Sequence, residues 1–366
     1  MRRERKPGRA KLLKLRPLCF LRAWPHSALR VSGVVRSARL RSNRADALYN
    51  HLDSSHEDLS MTASIVVEAV HSDLSEPRQR FVQCASPAGL HRMAYTEWGD
   101  PANPRVLLCV HGLTRSGRDF DKLAQAFAHD YRVVCPDVVG RGLSDWLADP
   151  RYYGVAQYVA DMVTLVARLN VETVDWFGTS MGGLIGMALG GLPNTPIRKM
   201  LLNDVGPHIE PIALQRIGDY LGKPARFASL DEGVRHAAAL ASSFGPLTDE
   251  EWASINTPLL HERDGAWGFR YDPGIATPFT AATDEQNAAG EAFLWHSLAS
   301  IRTPVLVVRG ETSDLLSRET VAQMVEKGQA VTSAEIPGAG HAPAFLVEDQ
   351  IAVARGFFLE HDGSGA

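Results

Sequence analysis

Residues 173–190 decide the fold: an apolar run, Thr173-Val174-Asp175-Trp176-Phe177, leads into Gly178-Thr179-Ser180-Met181-Gly182, and a small-residue stretch from Gly183 to Gly190 follows. The first part has the length and apolar character of a buried strand, and the last part suits a helix packed closely on its neighbours. A strand that turns at once into a helix forces its turn residue into a strained backbone conformation. Small residues two positions either side leave room for that turn. Ser180 is then presented at a sheet edge. A free serine hydroxyl is a weak nucleophile, so the elbow predicts a histidine to take its proton, an acid to orient the histidine and backbone N–H donors for an oxyanion.

Outward from the elbow, strand-like and helix-like stretches alternate from about residue 80, which predicts an α/β fold with a mostly parallel sheet covered on both faces. Arg80 to Ala85 and Leu90 to Trp98 read as a leading antiparallel pair. Arg105 to Val110, Tyr131 to Cys135, Ile197 to Leu202, Pro304 to Val308 and Ala330 to Ile336 read as further strands, and Asp119 to His129 and Val155 to Leu169 as helices. The rhythm stops between Leu202 and Pro304. There, Ile212 to Leu221, Leu230 to Ser242 and Asp249 to Ile255 have helical spacing between Pro and Gly, as in an inserted helical cap. The expected organisation is a core of residues 61–204 and 301–366, with a helical cap at 205–300.

His341 lies in Gly338-Ala339-Gly340-His341-Ala342-Pro343, after the last strand. A histidine on so pliable a loop can reach a serine at the carboxyl edge of the sheet, and its ordinary pKa suits proton transfer near neutrality. Asp314, on the turn after Val305 to Val308, is the first choice of acid; Asp204, after the preceding strand, is the alternative. The Leu113 and Met181 amides are the expected oxyanion donors, since Gly112 lets the chain turn tightly toward Ser180. Arg115 is a candidate substrate contact, able to hold a carboxylate or to tie loops together. Trp252 and Trp267, with Phe269, Tyr271 and Phe279, are aromatic enough to line a substrate site or to pack the cap.

Taken in order, His111-Gly112, Asp137-x-x-Gly140-Arg141-Gly142-x-Ser144, Gly178-x-Ser180-x-Gly182-Gly183, Gly310-x-x-x-Asp314 and Gly340-His341 resemble the α/β-hydrolase family, in its capped esterase and carbon–carbon-bond hydrolase branch. The resemblance spans about residues 80 to 360. It implies an eight-stranded sheet, a triad of Ser180, Asp314 and His341, and an oxyanion hole at Leu113 and Met181. Similar relatives with epoxide or haloalkane chemistry carry aspartate at the elbow, where this chain has Ser180.

Composition bounds the partners. Residues 1–44 hold 14 Lys or Arg against one acid, whereas residues 45–366 hold 24 against 41, so the body of the protein is acidic and has no basic stripe for nucleic acid. The arginine-rich residues 1–60 lack periodicity and are read outside the core, as a segment upstream of a true start at Met61, a disordered basic tail or an organelle transit peptide. No window approaches the roughly 20 apolar residues of a membrane span. Cys19, Cys84, Cys109 and Cys135 have no metal-ligand spacing and read as reduced thiols of a cytoplasmic protein. The expected function is a serine hydrolase that cleaves a carboxylic ester or lactone of a small, partly apolar substrate through an acyl-enzyme, without metal or organic cofactor. A carbon–carbon bond hydrolase, a perhydrolase and a slowly turning ligand receptor are alternatives on the same parts.

Overall fold

The computed structural model describes Leu74 and residues 76–359; the readings of residues 1–60, Cys19 and Met61 lie outside them. From the amino end the chain runs through β1 (Arg78–Ser86), β2 (Gly89–Trp98), β3 (Val106–Val110), α1 (Asp121–Phe127), β4 (Arg132–Pro136), α2 (Val155–Leu169), β5 (Val174–Thr179), α3 (Met181–Gly190) and β6 (Ile197–Asn203). An insert follows, with α4 (Pro211–Tyr220), α5 (Leu230–Leu240), α6 (Asp249–Asn256), β7 (Leu260–Arg263), β8 (Ala266–Phe269), α7 (Ala276–Ala281) and α8 (Asp284–Ser300). The core closes with β9 (Val305–Gly310), α9 (Arg318–Lys327), β10 (Val331–Ile336) and α10 (Glu348–Leu359).

Eight strands form one sheet in the order β1-β2-β4-β3-β5-β6-β9-β10. β2 runs antiparallel to both its neighbours, and the six strands from β4 to β10 are parallel. Side-chain alternation explains why the central strands are apolar throughout. In β3, Val106, Leu108 and Val110 enter the core beneath α2 and α3, while Leu107 and Cys109 enter the core beneath α1 and α10. In β9, Val305 and Val307 face the first core, and Leu306 and Val308 the second. A strand buried on both faces must be hydrophobic at every position.

The insert departs from the sequence expectation in one respect. It is not wholly helical: β7 and β8 form a two-stranded hairpin, pairing Leu260 with Phe269 and Arg263 with Ala266. Asp264 and Gly265 make its turn, both at positive φ (52° and 69°). A two-residue turn of that kind favours Asp-Gly, so the hairpin had a legible signal. Among the described residues, no helix is long and apolar enough to cross a membrane.

Glycines fix how closely α3 lies on the sheet. A Cβ on Gly182 would fall 1.9 Å from the Val110 carbonyl oxygen, and one on Gly178 would fall 2.5 Å from the Gly182 backbone. Replacing Gly182 by Ala is expected to destabilise the protein by about 3 kcal/mol, the upper end of the usual range for overpacking, because backbone must move. Gly290 lies exposed in α8 with nothing within 4 Å of its would-be Cβ, so Gly290→Ala should stabilise by up to about 1 kcal/mol. Urea unfolding of both variants measures the contrast; a Gly182→Ala protein as stable as wild type would contradict this account of the elbow.

Candidate active site

Ser180 occupies the single residue between β5 and α3, at φ 52° and ψ −116°, a conformation L-residues rarely adopt. Its amide donates to the Asn203 carbonyl (3.0 Å), so the turn is held against the tip of β6. Its Oγ lies 3.0 Å from His341 Nε2. His341 Nδ1 in turn lies 2.8 Å from Asp204 Oδ2. Asp204 is 0% exposed and would be costly to bury as an unpaired charge. Its carboxylate is satisfied: Oδ1 accepts from the Gly310 amide (2.8 Å) and Oδ2 from the Ser313 hydroxyl (2.6 Å) as well as from His341. A hydroxyl, an imidazole and a buried carboxylate in this order can pass the serine proton to the ring and stabilise the resulting imidazolium.

The structure thus brings Ser180 and His341 together as expected, but Asp314 is not beside the histidine. After β9 the chain turns back sharply: Ser313 donates its amide to the Gly310 carbonyl, and Arg309 Nε holds the Leu316 carbonyl at 2.7 Å. This turn aims Ser313 at Asp204 and swings Asp314 outward. Asp314 there makes a two-pronged ion pair with Arg216 of α4, at 2.7 and 2.9 Å. Asp204, the alternative acid, is the residue within reach of His341, at the end of β6. Its φ of 54° bends the chain there, while its amide still pairs with the Val308 carbonyl of β9 (2.7 Å).

The histidine loop is also clamped from the insert. The Gly340 amide donates to the Ser243 carbonyl (2.6 Å), and the Ser243 hydroxyl donates to the His341 carbonyl. A side chain at position 340 would meet Ser243 Cβ at 3.0 Å. Glycine therefore permits this contact.

The segments carrying the Leu113 and Met181 amides border Ser180. Met181 is the first residue of α3, where helix amides have no partner within the helix. A Cβ on Gly112 would lie 3.7 Å from Ser180 Cβ, which places the Leu113 segment against the serine. Two buried side chains fix that segment, and neither role was read from the sequence. His111 lies between the Gly112 carbonyl, 2.7 Å from Nδ1, and the Val138 amide, which donates to Nε2 at 2.9 Å. Arg141 donates to the Leu113 carbonyl (2.8 Å), to the Val139 carbonyl (2.8 Å) and to the Tyr158 hydroxyl (2.9 Å).

Ser180 and His341 open into a cleft of about 810 Å³, counting its mouth, with Tyr220, Phe244, Phe269 and Tyr271 among its walls. Of the aromatic candidates, Phe269 and Tyr271 reach it, and Trp252 and Trp267 do not. Trp252 packs behind Phe244, ring centroids 6.3 Å apart. Trp267 lies two residues from Phe269 along β8, roughly 7 Å further along the strand, where its backbone pairs with Phe227. It lines a separate groove with Trp146, Lys223 and Arg226. Arg115 borders the cleft, but its guanidinium is committed to Asp119 (2.8 Å), Asn256 (2.8 Å) and the Ile255 carbonyl (2.9 Å), tying the loop after β3 to α6. Arg216 also borders the cleft and was not among the sequence candidates.

One set of metal-capable atoms comes together among the described residues, away from the cleft: Cys84, His91 and Asp161, within 4.8 Å of one another and buried. Asp161 accepts from Gln157 (2.8 Å) and lies 3.0 Å from His91 Nε2, while burial pushes the Cys84 thiol up to about 12. The His91–Asp161 contact, and Gln157 donating to the Ala85 carbonyl (2.9 Å), tie the β1–β2 hairpin to α2.

Burial lowers His111 to about 3 from its ordinary 6.5, because no water reaches a charged ring there. A histidine depressed in the fold gains a proton on unfolding, so its contribution is complete above pH 6.5 and is lost as pH falls toward 3, at up to about 1.4 kcal/mol per pH unit. His111→Asn lacks that titration. Its stability deficit against wild type is expected to shrink over this window in urea unfolding at stepped pH. Asp137, raised by burial to about 6, titrates in both proteins and cancels in the difference. A pH-independent deficit would contradict a neutral buried His111.

The model of the alpha/beta hydrolase family matches residues 107–355. The chain is 61% identical over 288 residues to the 3-hydroxybutyrate-oligomer hydrolase of Cupriavidus necator, covering 78% of this chain and 98% of that protein. Among solved structures, an alpha/beta hydrolase from Novosphingobium aromaticivorans is 35% identical with a TM-score of 0.66, over 76% of this chain and 97% of that one. A hydrolase structure from Rickettsia typhi aligns with a TM-score of 0.70 at 28% identity, over 78% of this chain and 99% of that one. With the eight-stranded sheet, the insert after β6 and the serine elbow already in place, the chain belongs to the alpha/beta hydrolase family.

Proposed function

We propose that the protein is a serine esterase that hydrolyses the ester bonds of short 3-hydroxybutyrate oligomers. The observation that carries the chemistry is the unbroken chain Ser180 Oγ, His341 Nε2, His341 Nδ1, Asp204 Oδ2, with links of 3.0 and 2.8 Å at the base of a largely apolar cleft. The likeness to the Cupriavidus necator hydrolase supports the substrate. Such oligomers are short polyesters with a methyl group on each unit, matched to a cleft walled by aromatic rings and Leu113.

In this reading Ser180 Oγ attacks the ester carbonyl carbon while its proton passes to His341 Nε2. The Leu113 and Met181 amides receive the negative oxygen of the tetrahedral intermediate. Collapse breaks the carbon–oxygen bond to the leaving alcohol, which takes the proton from His341 and departs. Water then attacks the acyl-serine with His341 as base, and the acid is released with Ser180 regenerated. Asp204 keeps Nδ1 protonated, so that Nε2 faces the serine as the acceptor. The carbon–carbon, peracid and receptor alternatives use the same three side chains and gain no observation of their own.

Purified protein is expected to convert the 3-hydroxybutyrate dimer to monomer over many turnovers, and Ser180→Ala to abolish this. Asp204→Asn should lower kcat by about 10⁴-fold by favouring the wrong imidazole tautomer, with Asp314→Asn lowering it far less. A single turnover per molecule would instead identify a receptor. An Asp314→Asn defect as large as that of Asp204→Asn would return the acid's role to Asp314.

A further inference from the structure

The cleft has two arginines on its wall, and they differ in freedom. Four hydrogen bonds to Asp119, Asn256 and Ile255 engage Arg115 on every side. Arg216, on α4, uses only Nε and one Nη2 hydrogen, both directed to Asp314. A guanidinium has five N–H groups. Three therefore remain without a protein acceptor among the described residues, including a parallel pair on the Nη1–Nη2 edge. Asp314, the partner of Arg216, does not line the cleft, and both side chains of the pair are partly exposed.

We propose that the free edge of Arg216 binds the terminal carboxylate of the oligomer, so that the enzyme selects its substrate by the acid end and cuts the ester bond next to it. This rests on the esterase reading above. A linear 3-hydroxybutyrate oligomer carries one carboxylate, whatever its length. At the ester bond nearest that end, the carboxylate carbon lies four bonds from the scissile carbonyl carbon, roughly 5 Å away. A cation in the same cleft as Ser180 is on the right scale to meet it. A carboxylate drawn into a cleft walled largely by apolar groups needs a partner to replace water, and the planar fork of arginine offers two parallel hydrogen bonds. Asp314 keeps that fork oriented when no substrate is bound. Cutting beside the carboxylate makes free 3-hydroxybutyrate the leaving alcohol, so a trimer yields dimer plus monomer, and the dimer can be bound and cut again.

The test compares the dimer with its methyl ester, which keeps the internal ester bond and lacks the charge, by chromatography of the products of that bond. Wild type is expected to favour the acid at least tenfold in kcat/KM, the scale of a charge-assisted pair. Arg216→Gln should lower kcat/KM on the acid at least tenfold more than on the methyl ester. Each ratio is read on one preparation, so any unfolded fraction cancels. Because Arg216→Gln leaves Asp314 to repel an acid, the double variant Arg216→Gln with Asp314→Asn is measured too. A persistent loss of acid preference there supports direct contact, and recovery of the preference would overturn it. Wild type cutting acid and ester equally would overturn this inference alone. Hydrolysis of neither compound would overturn the esterase reading and this inference with it.

Discussion

The site depends on one buried carboxylate. Asp204 is inaccessible to solvent, and its charge is tolerable only because three donors from separate segments converge on it: the Gly310 amide at the end of β9, the Ser313 hydroxyl on the following turn and the imidazole of His341. Its own amide continues the pairing of β6 with β9. The same group therefore fixes the ends of two neighbouring strands and the orientation of the histidine ring. Removing any of the three donors leaves a buried charge short of a partner, so sheet edge and catalytic geometry are not separable here.

This arrangement explains what could be read from the chain and what could not. The elbow was legible because its constraint is local: Ser180 and the small residues at 178, 182 and 183 all lie within one strand–turn–helix unit. The strands were legible because burial on both faces leaves no polar position in segments such as Val106–Val110. The acid was not. Asp204 and Asp314 each follow a parallel strand, and both loops end near His341; choosing between them turns on the Arg309-braced bend that aims Ser313 inward and Asp314 outward. No periodicity reports such a bend. Of the five insert rings that aromatic composition suggested, Phe269 and Tyr271 line the cleft while Trp252 and Trp267 do not, because packing behind Phe244 and distance along β8 are tertiary facts; Phe244, which does line it, was not singled out. The β7–β8 hairpin is different: Asp264-Gly265 announced it, within a segment read as a helical cap.

Core and insert have distinct parts in the site, yet meet in the histidine loop. Ser180, Asp204 and His341 all come from the core, at the carboxyl ends of parallel strands or just beyond them, where open α/β sheets carry their ligands. The insert supplies most of the cleft wall through Arg216, Tyr220, Phe244 and Phe269. It also reaches the chemistry through Ser243, which grips the backbone on either side of the His341 amide. A shift of the insert that moved Ser243 would move His341 as well, so cleft shape and proton transfer are mechanically linked. The insert that walls the cleft and the core that carries Ser180, Asp204 and His341 are thus joined by one set of contacts.

Arg141 braces the two segments that carry the proposed oxyanion donors. It is fully buried, and its acceptors are neutral: two carbonyls, the Tyr158 hydroxyl and, on Nη2, the Met181 sulfur at 3.6 Å, with the Tyr153 and Tyr158 rings against its face. Burying a guanidinium in this way is costly unless every N–H finds a fixed partner. Two of the four residues that receive it carry the proposed oxyanion donors, Leu113 through its carbonyl and Met181 through its side chain. A rigid planar group joins them from behind. Arg141 therefore ties the loop after β3 to the start of α3.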